Sequence, residues 1–448
     1  MSLRFAFMLV ATPAACLLGV LRPFWGLLAL VFLYYFRPDV WSAPDWFRPQ
    51  MWITVSVAIG WLIHVRTFRV HVLLGLALLV LLGHLGSALN AVVRMDTALD
   101  MVTVLSKLII VQFLAMQLVD TPRRLNMFLW TNVLGMVWNL KTILYLGLFG
   151  TGVTEDLRVD VGVGQGGGAN YLAMILVMFL PFLMIRFQSG SARERFGALV
   201  LIPLIMLCIV LTGSRAGFLA TGATVLVMLL ISNRKVLGLV TAGALALIMI
   251  VAMPETQWER LQKGVGAEEQ RDFAAQSRVL LWKGAVDMWQ EYQWLGVGPD
   301  NFAYLSPRYA GFYAGRNVEA YIPGVDRPGF VAHSTWLQTL AEGGIVSAVP
   351  FLFMFLVAFF VLWRARASPG PLDADGQLIR TSATAMIGLW VAFIVGSSFG
   401  SHIKLDFLWW YMGCVAVVDS MARRRRESER QRWASARDAS LRRQVAGV

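Results

Sequence analysis

Apolar runs long enough to cross a lipid bilayer recur along this sequence, and they decide the fold class before any motif is considered. "HVLLGLALLVLLGHLGSALNAVV" (71–93) and "FLFMFLVAFFVLW" (351–363), extended back to Ser334, are the clearest. A helix needs about 17–25 apolar residues to span the hydrocarbon core. Unpaired backbone polar groups are too costly in lipid, so such runs must be helical. The period-2 alternation of a membrane barrel is absent. Composition agrees: 57% of the chain is hydrophobic and only 15% charged, against about 45–50% and about 25% in soluble domains. Mean hydropathy is +0.63. The expected fold is an all-α polytopic membrane protein.

The apolar segments run over 5–20, 24–36, 51–64, 71–93, 101–118, 127–149, 170–185, 197–212, 216–232, 236–253, 334–363, 379–397 and 405–420. Basic residues fall on alternate connections: Arg66 and Arg69, Arg123 and Arg124, Arg186, Arg193 and Arg195, Arg234 and Lys235, Arg364 and Arg366, then Arg423 to Arg426. The positive-inside rule makes these loops and the C-terminus cytoplasmic. The loops 37–50, 94–100, 150–169, 213–215, 254–333 and 398–404 are then extracytoplasmic. Segments 5–20 and 24–36 are separated only by Arg22-Pro23 and read as one span plus a half-span. This gives about 12 spans with the N-terminus inside, retained as a membrane segment and not removed as a signal.

The formal charge of +12 sits largely in short loops and in the tail. It is therefore an orientation pattern, not a nucleic-acid footprint. The basic tail 421–448 is a topology anchor that can also meet anionic lipid. Cys16, Cys208 and Cys414 lie in apolar runs without metal-ligand spacing and are read as small buried hydrophobes. No internal repeat is visible. The expected organisation is a transmembrane bundle over 1–253, a long, largely helical external loop over 254–333, further spans over 334–420, and the tail.

Three motifs flank the external side. "LTGSRAGFLA" (211–220) puts Arg215 in a tight turn between two apolar runs, on the side where arginine is disfavoured, which suggests an anionic partner. In "SRVLLWKGAVDMWQEYQWLGVGPDNF" (277–302), Ser277 is expected to cap a helix over 279–293 with Arg278 in its first turn. Gly296 and Gly298 should make the following turn. In "VAHSTWLQTLAEGGI" (331–345), His333 stands at a helix start beside Ser334 and Thr335, with Gln338 and Glu342 following.

The order of these motifs around a long external loop closely resembles the O-antigen ligase family. Its superfamily also includes O-antigen polymerases and bacterial protein O-oligosaccharyltransferases. The motifs cover roughly residues 165–400. One departure is "GQGGGANYL" (164–172), where relatives often carry an Asp-Pro-Asn-like turn and only Asn170 is comparable. The resemblance implies a GT-C-like membrane glycosyltransferase. It would take a glycan from undecaprenyl pyrophosphate at the outer face of the bacterial inner membrane and pass it to a lipid A–core acceptor.

That chemistry suits particular residues. Charge developing on a pyrophosphate leaving group needs preorganised cations, and the arginine fork matches phosphate oxygens. Arg215 and Arg278 are the first candidates, with Lys107 and Lys141 inside apolar segments behind them. No Asp/Glu/His metal cluster is visible on the external side, so no metal or other cofactor is expected. The acceptor hydroxyl needs a base, and His333 is placed for it. His402 is a secondary candidate. His84 reads as a core histidine, and His64 and His71 flank the Arg66/Arg69 loop. "SPRYAGFYAGRNVEAYIPG" (306–324) offers Arg308, Arg316, Tyr309 and Tyr313 for sugar or acceptor contact, as does Gln338. A transporter would instead show inverted repeats or broken helices near the midplane. Direct displacement by an activated hydroxyl predicts inversion.

Overall fold

The computed structural model describes residues 3–36, 47–65, 67–150, 159, 168–232, 235–252, 255, 258, 273–310, 330–367 and 373–446. They are helical as expected, with no strand among them. The helices are α1 (Leu3–Leu21), α2 (Pro23–Phe36), α3 (Pro49–His64), α4 (Val72–Leu89), α5 (Met95–Leu118), α6 (Pro122–Phe149), α7 (Ala169–Ser189) and α8 (Ala192–Leu211). Next come α9 (Arg215–Ile231), α10 (Lys235–Ala252), α11 (Phe273–Glu291), α12 (Phe302–Ala310), α13 (Thr335–Arg366), α14 (Ala374–Ser397) and α15 (Asp406–Ala446). Seven of these are long and apolar enough to cross a membrane: α4 to α8, α13 and α14. Shorter apolar stretches cover Ala6–Leu21, Pro23–Tyr35 and Arg215–Ile231. The chain is a multi-pass membrane protein. The fuller count of about 12 spans stays an expectation; α2, at roughly 21 Å, is shorter than a bilayer core of about 30 Å.

The connections sort into two ends. At one end the arginines gather. Arg124 stacks over Phe24 at 4.9 Å, and the Arg69 amide donates to Gln117 Oε1 at 3.0 Å. His71 Nε2 meets the buried Asp419 at 3.1 Å, and Arg366 donates to the Ile231 carbonyl at 2.6 Å. α15 runs past residue 421 without a break, carrying the basic tail as a continuation of the same helix. At the opposite end lie the loops that carry the motifs.

α7 and α14 form the buried centre. Nearly every described residue of α7 is buried, including Phe179 and Leu183, and α14 packs Trp390 and Phe393 inside. Gly396 lies so close to Met174 that a Cβ there would meet its Cγ at 2.6 Å. Cys208 and Cys414 are buried and Cys16 is half-buried, all free, as expected of small hydrophobes.

Candidate functional site

α13 is the element on which the site is built. Ser334 caps it, accepting from Leu337 N at 3.4 Å. His333 is the residue before the cap, half-buried, with φ at 48°. Left-handed backbone at a non-glycine residue is uncommon and strained. A few turns on, Gly344 breaks the helix with φ 59° and ψ −166°. The break frees backbone groups that a straight helix would pair. The turn after α11 takes them up: Val297 N donates to Ala341 O at 2.9 Å and Gly298 N to Glu342 O at 3.0 Å. In return Ile345 N donates to Gln293 O at 2.9 Å and Val346 N to Trp294 O at 3.2 Å. Irregular backbone in a membrane protein persists when protein satisfies it. A Cβ at Gly344 would stand 2.2 Å from Trp294 O, and one at Gly296 (φ 68°) 2.5 Å from Ala341 O. The "GVGPDNF" and "AEGGI" motifs are therefore two halves of one joint.

Glu342 reinforces that joint. Its buried carboxyl oxygen Oε1 accepts from Phe302 N at 3.3 Å and from Gln338 Nε2 at 3.0 Å. Asn301 ties in a further loop: its amide donates to Arg94 O at 3.0 Å and accepts from Arg94 N at 2.7 Å. Glu342→Ala would strand these donors in a buried setting, where an unsatisfied polar group costs about 1–3 kcal/mol. Hydrogen exchange across 292–302 should rise sharply in that variant; unchanged protection would remove Glu342 from this role.

The loop between α14 and α15 closes another side. Thr335 Oγ1 donates to Gly400 O at 2.7 Å and accepts from His402 N at 2.8 Å. Trp336 Nε1 donates to Ser398 Oγ at 3.2 Å, and Ser401 donates to Gln338 Oε1. The rings of Trp282 (α11) and Phe399 lie 6.0 Å apart. Lys404 pairs with Asp300 at 2.5 Å. His402 is buried, its Nδ1 3.3 Å from Ser397 Oγ and its ring 5.8 Å from Tyr171. Burial, then the charge of neighbouring His333, pushes its pKa down to about 3. His402 is thus neutral throughout the physiological range.

His333 itself is held below the ordinary histidine value, first by burial and then by the Arg278 guanidinium. A neutral imidazole at neutral pH can accept a proton. The half-buried Arg278 is therefore within electrostatic reach of His333. It is not where a first-turn anion site would put it. α11 begins at Phe273, so Ser277 lies inside the helix instead of capping it, and Arg278 stands in the second turn. Phe273, Ala274, Ala275 and Gln276 continue the helix backward, and a serine inside it caps nothing. Arg215 opens α9, after a turn capped by Ser214, whose Oγ accepts from Gly217 N at 3.1 Å and donates to Asn170 Oδ1 at 2.8 Å. Asn170 thereby ties the first turn of α7 to the arginine turn. Asn170 also precedes Tyr171, the neighbour of His402.

The remaining candidates spread out. Lys107 lies exposed on α5, about 18 Å along it from Met95. Lys141 is exposed on α6 with its ammonium 4.9 Å from the Trp138 ring centre. Gln338 is buried with both ends of its amide engaged, so it positions Ser401 and Glu342. Arg308 is exposed on α12, stacked 5.2 Å over Tyr309, whose hydroxyl donates to Glu291. Tyr313 and Arg316 lie outside the described residues. His84 is a core histidine whose Nδ1 lies 2.9 Å from Val80 O. Among the described residues no group of three His, Cys, Asp or Glu is placed to hold a metal ion.

A search of the curated proteins found no match. Residues 196–352 match the family model described as O-Antigen ligase. The matched span runs from α8 into the kinked α13 and takes in Arg215, Arg278, the Gly296–Asn301 turn, His333 and Glu342; over it, the chain is similar to the O-antigen ligase family, whose members are glycosyltransferase-like membrane enzymes.

Proposed function

We propose that the protein is an O-antigen ligase of the bacterial inner membrane. It would move a glycan from undecaprenyl pyrophosphate to lipid A–core, with the loop end of the bundle facing the periplasm and the arginine-rich end the cytoplasm. The observation that carries this reading is the convergence of Arg278 on a strained, half-buried His333 at the start of α13. On this reading the bundle (1–253), the periplasmic loop (254–333), the C-terminal spans (334–420) and the basic tail (421–448) divide the work. The loop brings Arg278, and the spans bring Arg215 and His333.

In the transfer step, His333 takes the proton of the acceptor hydroxyl as its oxygen attacks the anomeric carbon. The bond from that carbon to the pyrophosphate oxygen breaks, and undecaprenyl pyrophosphate leaves with the electron pair. Attack opposite the leaving group inverts the anomeric centre. Arg278 and Arg215 meet the charge that grows on the pyrophosphate. Lys107 and Lys141 stand further along their helices and serve the carrier, not the reacting centre. Arg308, Tyr309, Tyr313 and Arg316 are the proposed acceptor and sugar contacts, with Gln338 holding the wall behind them. No cofactor enters the step.

The test is complementation of a ligase-null strain. The reading expects O-antigen attached to lipid A–core. Elongated glycan left on the carrier would indicate a polymerase, glycosylated protein an oligosaccharyltransferase, and either would overturn the ligase assignment.

A further inference from the structure

Trp282 has no part in the chemistry above, yet its surroundings are those of the reacting centre. It follows Arg278 by four residues on α11, which puts the two side chains on one face of the helix, about one turn apart. Its ring lies 6.0 Å from that of Phe399, tilted by 48°. Phe399 stands between Ser398 and Gly400, which accept hydrogen bonds from Trp336 and Thr335 in the first turn of α13. His333 comes just before that turn and lies within electrostatic reach of Arg278. Two independent routes, one through Arg278 and one through the Phe399 loop, therefore lead from Trp282 to His333. The joint between the Gln293–Gly298 turn and α13 holds α11 in this place.

Two features of Trp282 point to a ligand. Its indole Nε1 is buried and has no hydrogen-bond partner among the described residues. Buried indole N–H groups usually find an acceptor, and one that does not needs a reason. Trp289, Trp390 and Trp410 share that condition; what sets Trp282 apart is its place beside Arg278 and the Phe399 loop. The second feature is exposure. Trp282 and Phe399 are both half-buried, so each keeps part of its surface open.

We propose that Trp282 and Phe399 seat the sugar ring next to the donor pyrophosphate, a subsite that rests on the ligase reading. A sugar carries C–H groups on its faces and oxygens around its edge. The two aromatic rings take a C–H face, and the Trp282 N–H donates to an edge oxygen. An indole N–H is a donor only, so the seat selects a sugar with an acceptor at that position. With its pyrophosphate held one turn back at Arg278, such a sugar has its anomeric carbon on the side of His333.

The test is binding and needs no turnover. Undecaprenyl pyrophosphate is offered bare, and bearing the glycan that accumulates on it in ligase-null cells, to the wild type, Trp282→Phe and Trp282→Leu. The wild type should bind the glycan-bearing form more tightly. Trp282→Phe keeps a ring beside Phe399 and loses the N–H, so that preference should fall by roughly 2–10-fold, the worth of one neutral hydrogen bond. Trp282→Leu loses the ring as well and should lower it by roughly 2–10-fold more. Both variants should hold the bare carrier like wild type. An undiminished preference in Trp282→Phe overturns the subsite. So does an equal loss of both forms by Trp282→Phe, the result expected of a residue that only packs. A wild type that binds both forms alike also overturns the subsite, while one that binds neither overturns the ligase reading itself.

Discussion

His333→Ala will lower transfer by about 10²–10⁴-fold, the usual contribution of a positioned general base, while the protein still inserts and folds. His333→Asn makes the test sharper. Asparagine tolerates left-handed backbone better than most residues, so the φ of 48° is kept and Ser334 still caps α13. A variant of unchanged thermal stability without activity is the expected result. Near-wild-type transfer by either variant would remove His333 from catalysis. The pH dependence carries the same information. Burial and Arg278 hold the His333 pKa below its ordinary value, so kcat/KM should stay level down to below about 6.5 and then fall as the imidazole is protonated. His402, at about 3, cannot produce a limb in that range.

Loss of either arginine comes next in size. Arg278→Ala and Arg215→Ala should each cost roughly 10²–10³-fold in rate, the scale of losing one preorganised partner to developing charge. Lysine should rescue poorly at both positions, because it keeps the charge and loses the fork. The two differ in one respect. Arg278 depresses the His333 pKa, so neutralising it should move the acid limb of the pH profile upward. If both alanine variants turned over and bound a polyprenyl-pyrophosphate analogue like wild type, neither arginine would be part of a clamp.

Much of the fold was legible because lipid punishes unpaired backbone so heavily that helix bounds follow hydropathy. The segment 334–363 became Thr335–Arg366, and 170–185 became Ala169–Ser189. Alternate loops carried arginine, and those loops meet at one end. Ser277 misled because a serine before an apolar run looks the same whether it caps a helix or lies inside one. Asn301 and Glu342 were visible in their motifs, yet their work was not. Asn301 acts on Arg94, and Glu342 acts on Phe302 and Gln338. The Gly343-Gly344 pair sat inside an apolar run and read as plain helix. Its kink makes sense only beside the Gln293–Gly298 turn, a pairing no local pattern encodes. Lys107 and Lys141 were correctly seen inside helices. Periodicity in an apolar stretch, however, does not say which face meets lipid.

The most direct test of the whole account is reconstituted transfer with purified protein, undecaprenyl-pyrophosphate-linked glycan and lipid A–core, in excess chelator. The account predicts one glycosylated lipid A–core formed per undecaprenyl pyrophosphate released, with inverted anomeric configuration and no loss of rate to the chelator. Retention of configuration, or turnover that returns only when Mg²⁺ or Mn²⁺ is added, would contradict it.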